Sequence, residues 1–393
     1  MEQERPHILY IPRWYPSRED PMLGLFVKKH ARAAISSGYR ISVAYARQAS
    51  GEQNKNIEVH CYSDDFLNET IVTYPARNGF PGLILQIRAW LTAISVTIKA
   101  HGKPQLIHAH ILTRTGLLAM IFSVFYQIPY VVTEHWSRYY PENMQFKGFW
   151  RKWITKKVLQ KAGLASVVSQ RLADAMKSAG LDFSYEIIGN VVDTSLFTPS
   201  VSKEPGEIRK IISISCFEEK SKNLNLLLDA FQELLSKTDN IQLVLVGDGA
   251  DFEYTRKRVS EMNFKEDEVR FTGMLENEAL AEELRGSACL SLSSNYETFA
   301  ISVFEALACG VPVVVTNVAD LKHHIRPQMG EVVEAGNMKD LSGALSKVLE
   351  NTDNYNPKTM RDYVERNFGT KAIAEQLNLL YKPLIVNSSR YAK

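Results

Sequence analysis

Short apolar runs alternate with longer stretches of helical spacing along the whole chain. In the first half the runs fall at 7–11, 41–46, 106–108, 129–133 and 165–169, and a helix is predicted over 25–36. Pro21 and Gly24 precede that helix and Gly38 ends it, which completes a strand–helix–strand unit. The pattern restarts with a strand at 211–215, a helix at 223–235, strands at 241–246 and 269–272, and a helix at 277–284. Strands alternating with helices imply parallel sheets, so the fold class is α/β, with two Rossmann-like doubly wound domains facing a cleft. Residues 199–206 are polar and include the breakers Pro205 and Gly206, after the run 187–193. The expected domains are therefore 1–198 and 199–372. Ile373, Leu377, Leu380, Tyr381 and Leu384 share a helical face, so the helix 373–393 is expected to dock and to complete the first domain.

Length agrees with this division, because 393 residues exceed what one hydrophobic core usually supports. A net charge of +2 is too mild for a dedicated nucleic-acid binder. The polar residues 1–6 and the short apolar run after them do not resemble a secretory signal, which points to a cytoplasmic protein. The apolar stretch 116–132 is broken by Ser123, Gln127 and Pro129, so no membrane-spanning helix is predicted. Cys61, Cys216, Cys289 and Cys309 are scattered, and no Cys or His spacing suggests zinc or a disulfide framework. No Asp-X-Asp element is present either, so no metal ligand is assigned.

The densest signal is the stretch 295–312. Phe299, Val303, Phe304 and Leu307 follow helical spacing, Gly310 is placed to cap the C-terminus, and Pro312 prevents continuation. Glu297 and Glu305 are eight residues apart, roughly 12 Å along a helix if it reached back that far. Carboxylates that hydrolyse a glycosidic bond lie about 5 to 9.5 Å apart, so this pair is better suited to gripping separate parts of a long ligand.

Other candidates lie at strand ends. Lys222 is read as opening the helix 223–235, where helix N–H groups favour an anion such as a diphosphate, although a solvated charge run at 218–222 is the ordinary alternative. Gly247, Asp248 and Gly249 permit a sharp turn after the strand 241–246. His108, His110 and the loop Thr133, Glu134, His135 and Trp136 offer hydrogen bonds or stacking for a sugar. The segment 147–161 carries Lys147, Arg151, Lys152, Lys156, Lys157 and Lys161 without an acid, with Trp150, Trp153, Ile154 and Val158 on an apolar side. It is a candidate for an anionic membrane surface, and equally for a helix that simply covers the sheet.

Together these residues resemble the retaining glycosyltransferases of family 4, which have the metal-independent GT-B fold and build bacterial polysaccharides or lipid-linked glycans. Glu297 and Glu305, with the following Ala308, Cys309, Gly310, Val311 and Pro312, match the family's two-glutamate signature and its turn. The resemblance implies that Glu297 contacts the donor sugar, Glu305 the ribose, and Lys222 the diphosphate. His110 would lie near the transferred sugar, and Phe271 to Gly273 would receive the base. The 16–26 loop with Gly24 resembles the family's glycine-containing loop, and Asn190 and Asp193 its interdomain turn.

The arginine common six residues before the lysine is Cys216 here, which makes Lys220 a candidate substitute. Thr298, Phe299 and Ala300 stand where glycines often flank the donor sugar, and Ala319 and Asp320 replace a frequent glycine pair. The implied substrates are a UDP- or GDP-linked sugar and a glycan or lipid-linked acceptor, with no cofactor and no nucleic acid. Two other readings stay open: a non-catalytic nucleotide-sugar-binding partner and a nucleotide-sugar 2-epimerase.

Overall fold

The computed structural model describes residues 5–49, 56–143, 145–200 and 208–391. Residue contacts divide the chain into two units, the first holding Met1–Val168, Leu172–Val191 and Ile373–Lys393, the second Ser169–Arg171 and Val192–Ala372. The polar breakers at 201–207 lie outside the described residues.

The first unit runs β1 (His7–Pro12), α1 (Leu25–Ser36), β2 (Arg40–Gln48), β3 (Glu58–Asp64), β4 (Leu67–Tyr74), α2 (Gly79–His101), β5 (Leu106–His110), α3 (Leu112–Tyr126), β6 (Tyr130–Glu134), α4 (Phe149–Lys161), β7 (Leu164–Val167), α5 (Gln170–Ser178) and β8 (Tyr185–Ile187). Among the described residues eight strands lie in the order β3-β4-β2-β1-β5-β6-β7-β8, all parallel except that β3 runs antiparallel to β4. β1 and β5 are the point where the strand order reverses, and their register pairs Pro12 with His110 at the carboxyl ends. Ligands of doubly wound sheets bind at that kind of position.

The longest apolar helix is α2, which has the length and composition of a membrane span. Ala89, Trp90, Ala93, Ile94 and Thr97 form its buried face, which lies over β2 and β4. The stretch 116–132 divides between α3 and β6 as its breakers suggest.

The second unit runs β9 (Arg209–Ser215), α6 (Glu219–Lys222), α7 (Leu224–Leu235), β10 (Ile241–Gly247), α8 (Phe252–Glu261), β11 (Val269–Gly273), α9 (Asn277–Arg285), β12 (Cys289–Leu292), α10 (Ile301–Ala308), β13 (Val313–Thr316), α11 (Leu321–His324), β14 (Gly330–Val333), α12 (Met338–Glu350) and α13 (Pro357–Phe368). Its six strands among the described residues are all parallel, in the order β11-β10-β9-β12-β13-β14, so the reversal falls between β9 and β12.

The last helix, α14 (Thr370–Tyr391), buries Ile373, Leu377, Leu380 and Tyr381 in the first unit. Tyr39 donates to Asn378 at 2.7 Å, and the Tyr381 and Tyr10 hydroxyls meet at 2.6 Å.

Candidate active site

In the second unit the loops leaving β9 and β12 are tied together. Asn295 N donates to Ser221 O at 2.8 Å, Asn295 Nδ2 to Lys220 O at 3.1 Å, and Ser293 Oγ to Lys222 O at 2.9 Å. This brings Lys222 and Glu297, 75 residues apart in sequence, into an ion pair of 2.5 Å. Ser294 Oγ donates to the same carboxylate oxygen at 2.8 Å, and Ser294 O is held by Thr316. Burial pulls the Lys222 amine down, but the charge and hydrogen bond of Glu297 outweigh it and leave the amine above its ordinary value. The result is a fixed cation at a strand switch point, able to receive phosphate oxygens.

Lys222 closes α6 and does not open α7. Asn223 between the two helices is left-handed at φ 49°, which breaks the run. Likewise α10 begins only at Ile301, so the straight-helix separation of Glu297 and Glu305 does not apply. Glu297 rides on the preceding loop, and Glu305 is buried on α10.

Cys216 is exposed at the β9 exit, its thiol pushed up by burial of the sulfur and by Glu297 and Glu218, against the pull of Lys222. Lys220 is exposed, two residues before Lys222 in α6. Phe217 next to Cys216 is fully buried at φ 40°, a strained conformation for a bulky residue that costs on the order of 1–3 kcal/mol.

The glycines after β10 serve that same loop. A Cβ on Gly247 would sit 1.9 Å from Ser215 O, and one on Gly249 1.8 Å from Cys216 O. Phe271 packs near Phe217 and Phe252, and with Thr272 and Gly273 it lines an open pocket of about 550 Å³ along β11. Phe299 is packed between Phe304 and Phe368, with centroids at 5.0 and 5.1 Å, so its ring belongs to the apolar core beside Thr298. Ala300, Ala319 and Asp320 have φ of 57°, 49° and 61°. That left-handed backbone explains why glycine is common there in the resembling family, since glycine adopts it without steric cost.

In the first unit the candidates gather at the β1/β5 switch point. Gly24 is left-handed at φ 70°, and a Cβ there would meet Trp14 O at 2.3 Å, so the 16–26 loop presses on the β1 exit. His110 is fully buried at the end of β5, stacked on His108 with centroids 3.9 Å apart. Burial, then the neighbouring His108, His135 and His30, hold its ring well below the usual imidazole range, so it is neutral.

His108 has both nitrogens satisfied, Nδ1 by Tyr381 at 2.7 Å and Nε2 by Thr133 at 2.7 Å, which makes it structural. Glu134 is an anchor as well: it accepts from the N–H groups of Leu112, His135 and Trp136 and from the Tyr139 hydroxyl. Of that loop, Trp136 is half-buried against Trp14, with Arg138 4.3 Å over its ring.

Sequence reasoning missed Ser293 and Ser294, although both follow directly on β12. It also missed the contact between Tyr10 and Tyr381, which spans 371 positions and leaves no local pattern. Tyr381→Phe removes a hydroxyl shared by Tyr10 and His108 and is expected to cost about 1–3 kcal/mol in urea unfolding. An unchanged midpoint would show that this network does not hold α14.

Comparison with known proteins agrees with the geometry. The family profile described as Glycosyltransferase Family 4 matches residues 23–196, and that described as Glycosyl transferases group 1 matches 197–367. The chain belongs to glycosyltransferase family 4. Among similar sequences, the phosphatidyl-myo-inositol mannosyltransferase of Mycobacterium leprae (strain TN) is 24% identical over 316 residues, 79% of each chain. TuaC of Bacillus subtilis (strain 168), whose name assigns it to teichuronic acid biosynthesis as a glycosyltransferase, is 25% identical over 91% of this chain and 92% of its own. Some relatives match over less of their length: for the N-acetyl-alpha-D-glucosaminyl L-malate synthase of Bacillus anthracis, 29% identical, the share is 44%.

Among solved structures, sucrose-phosphate synthase from Thermosynechococcus elongatus superposes with a TM-score of 0.77 at 18% identity, covering 98% of this chain and 100% of that one. Anabaena HepE in complex with UDP and glucose gives 0.71 at 17%, covering 96% and 99%. The fold of this family 4 glycosyltransferase is GT-B.

Proposed function

We propose that this glycosyltransferase moves a hexose from a UDP- or GDP-linked donor to a hydroxyl of a glycan or lipid-linked acceptor, with retention and without a metal. The observation that carries this reading is the Lys222–Glu297 pair at the β9/β12 switch point. A diphosphate reaching Lys222 competes with Glu297 for the ammonium group. Lys222 then faces the departing diphosphate, where a fixed cation stabilises the charge that develops. Glu297, released toward the sugar, accepts hydrogen bonds from its hydroxyls, while Ser294 keeps the carboxylate in place.

Neutral His110, with Nδ1 engaged by His135, offers its Nε2 to a sugar hydroxyl or phosphate oxygen. Glu305 is assigned to the ribose and the Phe271 to Gly273 strand end to the base. The acceptor attacks from the face the diphosphate leaves, and a phosphate oxygen takes its proton. Lys220 and the backbone N–H groups of the β9 exit stand in for the arginine replaced by Cys216. A chelator-treated reaction across UDP- and GDP-sugars, with the product's anomeric configuration read by NMR, tests this. A product of the donor's configuration is expected; an inverted product or a strict metal requirement would overturn it.

The acceptor reading extends to the membrane. Phe149, Trp150 and Trp153 on α4 are 72%, 70% and 48% exposed, and the helix packs instead through Thr155, Val158 and Leu159. Of the two readings that the sequence left equal for this helix, Trp150 and Trp153 therefore do not serve the one that covers the sheet. Exposed aromatics among basic residues suit the interface of an anionic bilayer on the cytoplasmic side. Replacing Lys152, Lys156 and Lys157 by Gln is expected to weaken binding to anionic vesicles at least tenfold, since each cation contributes about 1 kcal/mol near such a surface. Unchanged sedimentation with the vesicles would exclude this attachment.

A further inference from the structure

Three histidines from three separate segments meet inside the first unit. His30 comes from α1, His110 from the end of β5 and His135 from just after β6, and one ring nitrogen of each lies within 4.8 Å of the others. All three are buried. His110 Nδ1 and His135 Nε2 are 3.1 Å apart. Two nitrogen ligands of one tetrahedral zinc, each about 2.0–2.1 Å from the metal, are separated by about 3.3 Å, so this pair already has nearly the needed spacing.

The His110 Nδ1–His135 Nε2 contact is a hydrogen bond in which one ring donates, so a metal between them takes the place of that proton, which shifts to the ring's other, unpartnered nitrogen. A carbonyl only accepts, so His30 Nε2, 3.0 Å from Gly189 O, must carry its ring's proton, which leaves Nδ1 with a lone pair and without a partner. Fixing a ligand ring through its other N–H to a carbonyl is the usual support of a metal-binding histidine. His110 Nε2 is likewise without a partner. Burial keeps all three rings neutral, and nearby Glu134 is spent on backbone N–H groups and Tyr139. Three imidazoles without a carboxylate select zinc, cobalt, nickel or copper over magnesium or calcium.

We propose that His30, His110 and His135 form a binding site for a divalent transition metal of the zinc class. This rests on the role given to His110 above in one respect: metal held there occupies the ring that would face the sugar, so it inhibits transfer. The site itself is tested without any sugar. Cobalt(II) added to the chelator-treated protein is expected to bind at one equivalent and give the intense visible bands of a tetrahedral site. His30→Asn and His135→Asn, checked for folding by circular dichroism, are expected to bind at least tenfold more weakly. The wild-type spectrum decides even if the variants fail to fold: no uptake, or only the faint bands of an octahedral ion, would overturn the proposal. Zinc that lowers transfer, with recovery on chelation, is the expected companion result. A protein that takes up cobalt yet transfers no sugar would leave this site standing and remove the transfer reading alone.

Discussion

Replacing Lys222 by Gln is expected to lower kcat by about 10²–10³-fold, because one fixed donor to developing charge is removed where the diphosphate departs. The loss should fall mainly on kcat, since the charge on the diphosphate rises as the sugar bond breaks. Glu297→Gln is expected to act in the same direction without unfolding the chain, and the two losses should not add. Each residue holds the other in its bare arrangement at 2.5 Å, so removing either disrupts the same unit. Steady-state kinetics on the two single variants and the double variant check this. A loss under tenfold for Lys222→Gln, or fully multiplicative effects, would mean that the pair is not the centre of the reaction.

The second large effect is on stability in mild acid. His30 and His7 are each lowered to about 4, His30 chiefly by burial and His7 by burial and then by Arg40. His108, His110 and His135 are held well below the usual range by burial and by one another or His30. These groups are neutral in the fold and take up protons near pH 6.5 only when unfolded. Their effect is therefore absent above pH 6.5 and grows as the pH falls from 6.5 toward 4, where the unfolded chain binds the extra protons. A single histidine moved from 6.5 to 4 gives on the order of 2 kcal/mol of destabilisation by pH 5. Several together are comparable with the whole stability of a domain. Urea unfolding at pH 7.5, 6 and 5 is expected to show a steep loss for the first unit, and a flat midpoint over that range would contradict the neutral cluster.

Much of the fold was legible because its strands are continuous apolar runs and its helices amphipathic. β1, α1, β9, α7, β10, β11 and α9 all fall within two residues of the ranges expected from the sequence. What was not legible has physical causes. β3 is exposed along its whole length, so it carries no alternation. β4 is buried throughout yet contains Asn68, Glu69, Thr70 and Thr73, and it looks polar for that reason. α8 buries only Thr255, which gives no apolar stripe.

At the site, the glutamate motif and Lys222 were visible as types and spacing, while their pairing depends on β9 and β12 being neighbours. The clustering of His30, His110 and His135 is further from reach, because sheet order rather than any spacing brings α1, β5 and β6 together. For Trp150 and Trp153 the sequence left two placements open, because helical spacing fixes which residues share a face but not which face meets the sheet.

The most direct measurement follows nucleoside diphosphate release from UDP- and GDP-sugars in a chelating buffer, with and without glycan or lipid-linked acceptors. Release that requires both a matching donor and an acceptor, and that is lost in Lys222→Gln, is the predicted result. Donor binding without release on any acceptor, or a new nucleotide sugar formed with no acceptor present, would contradict it.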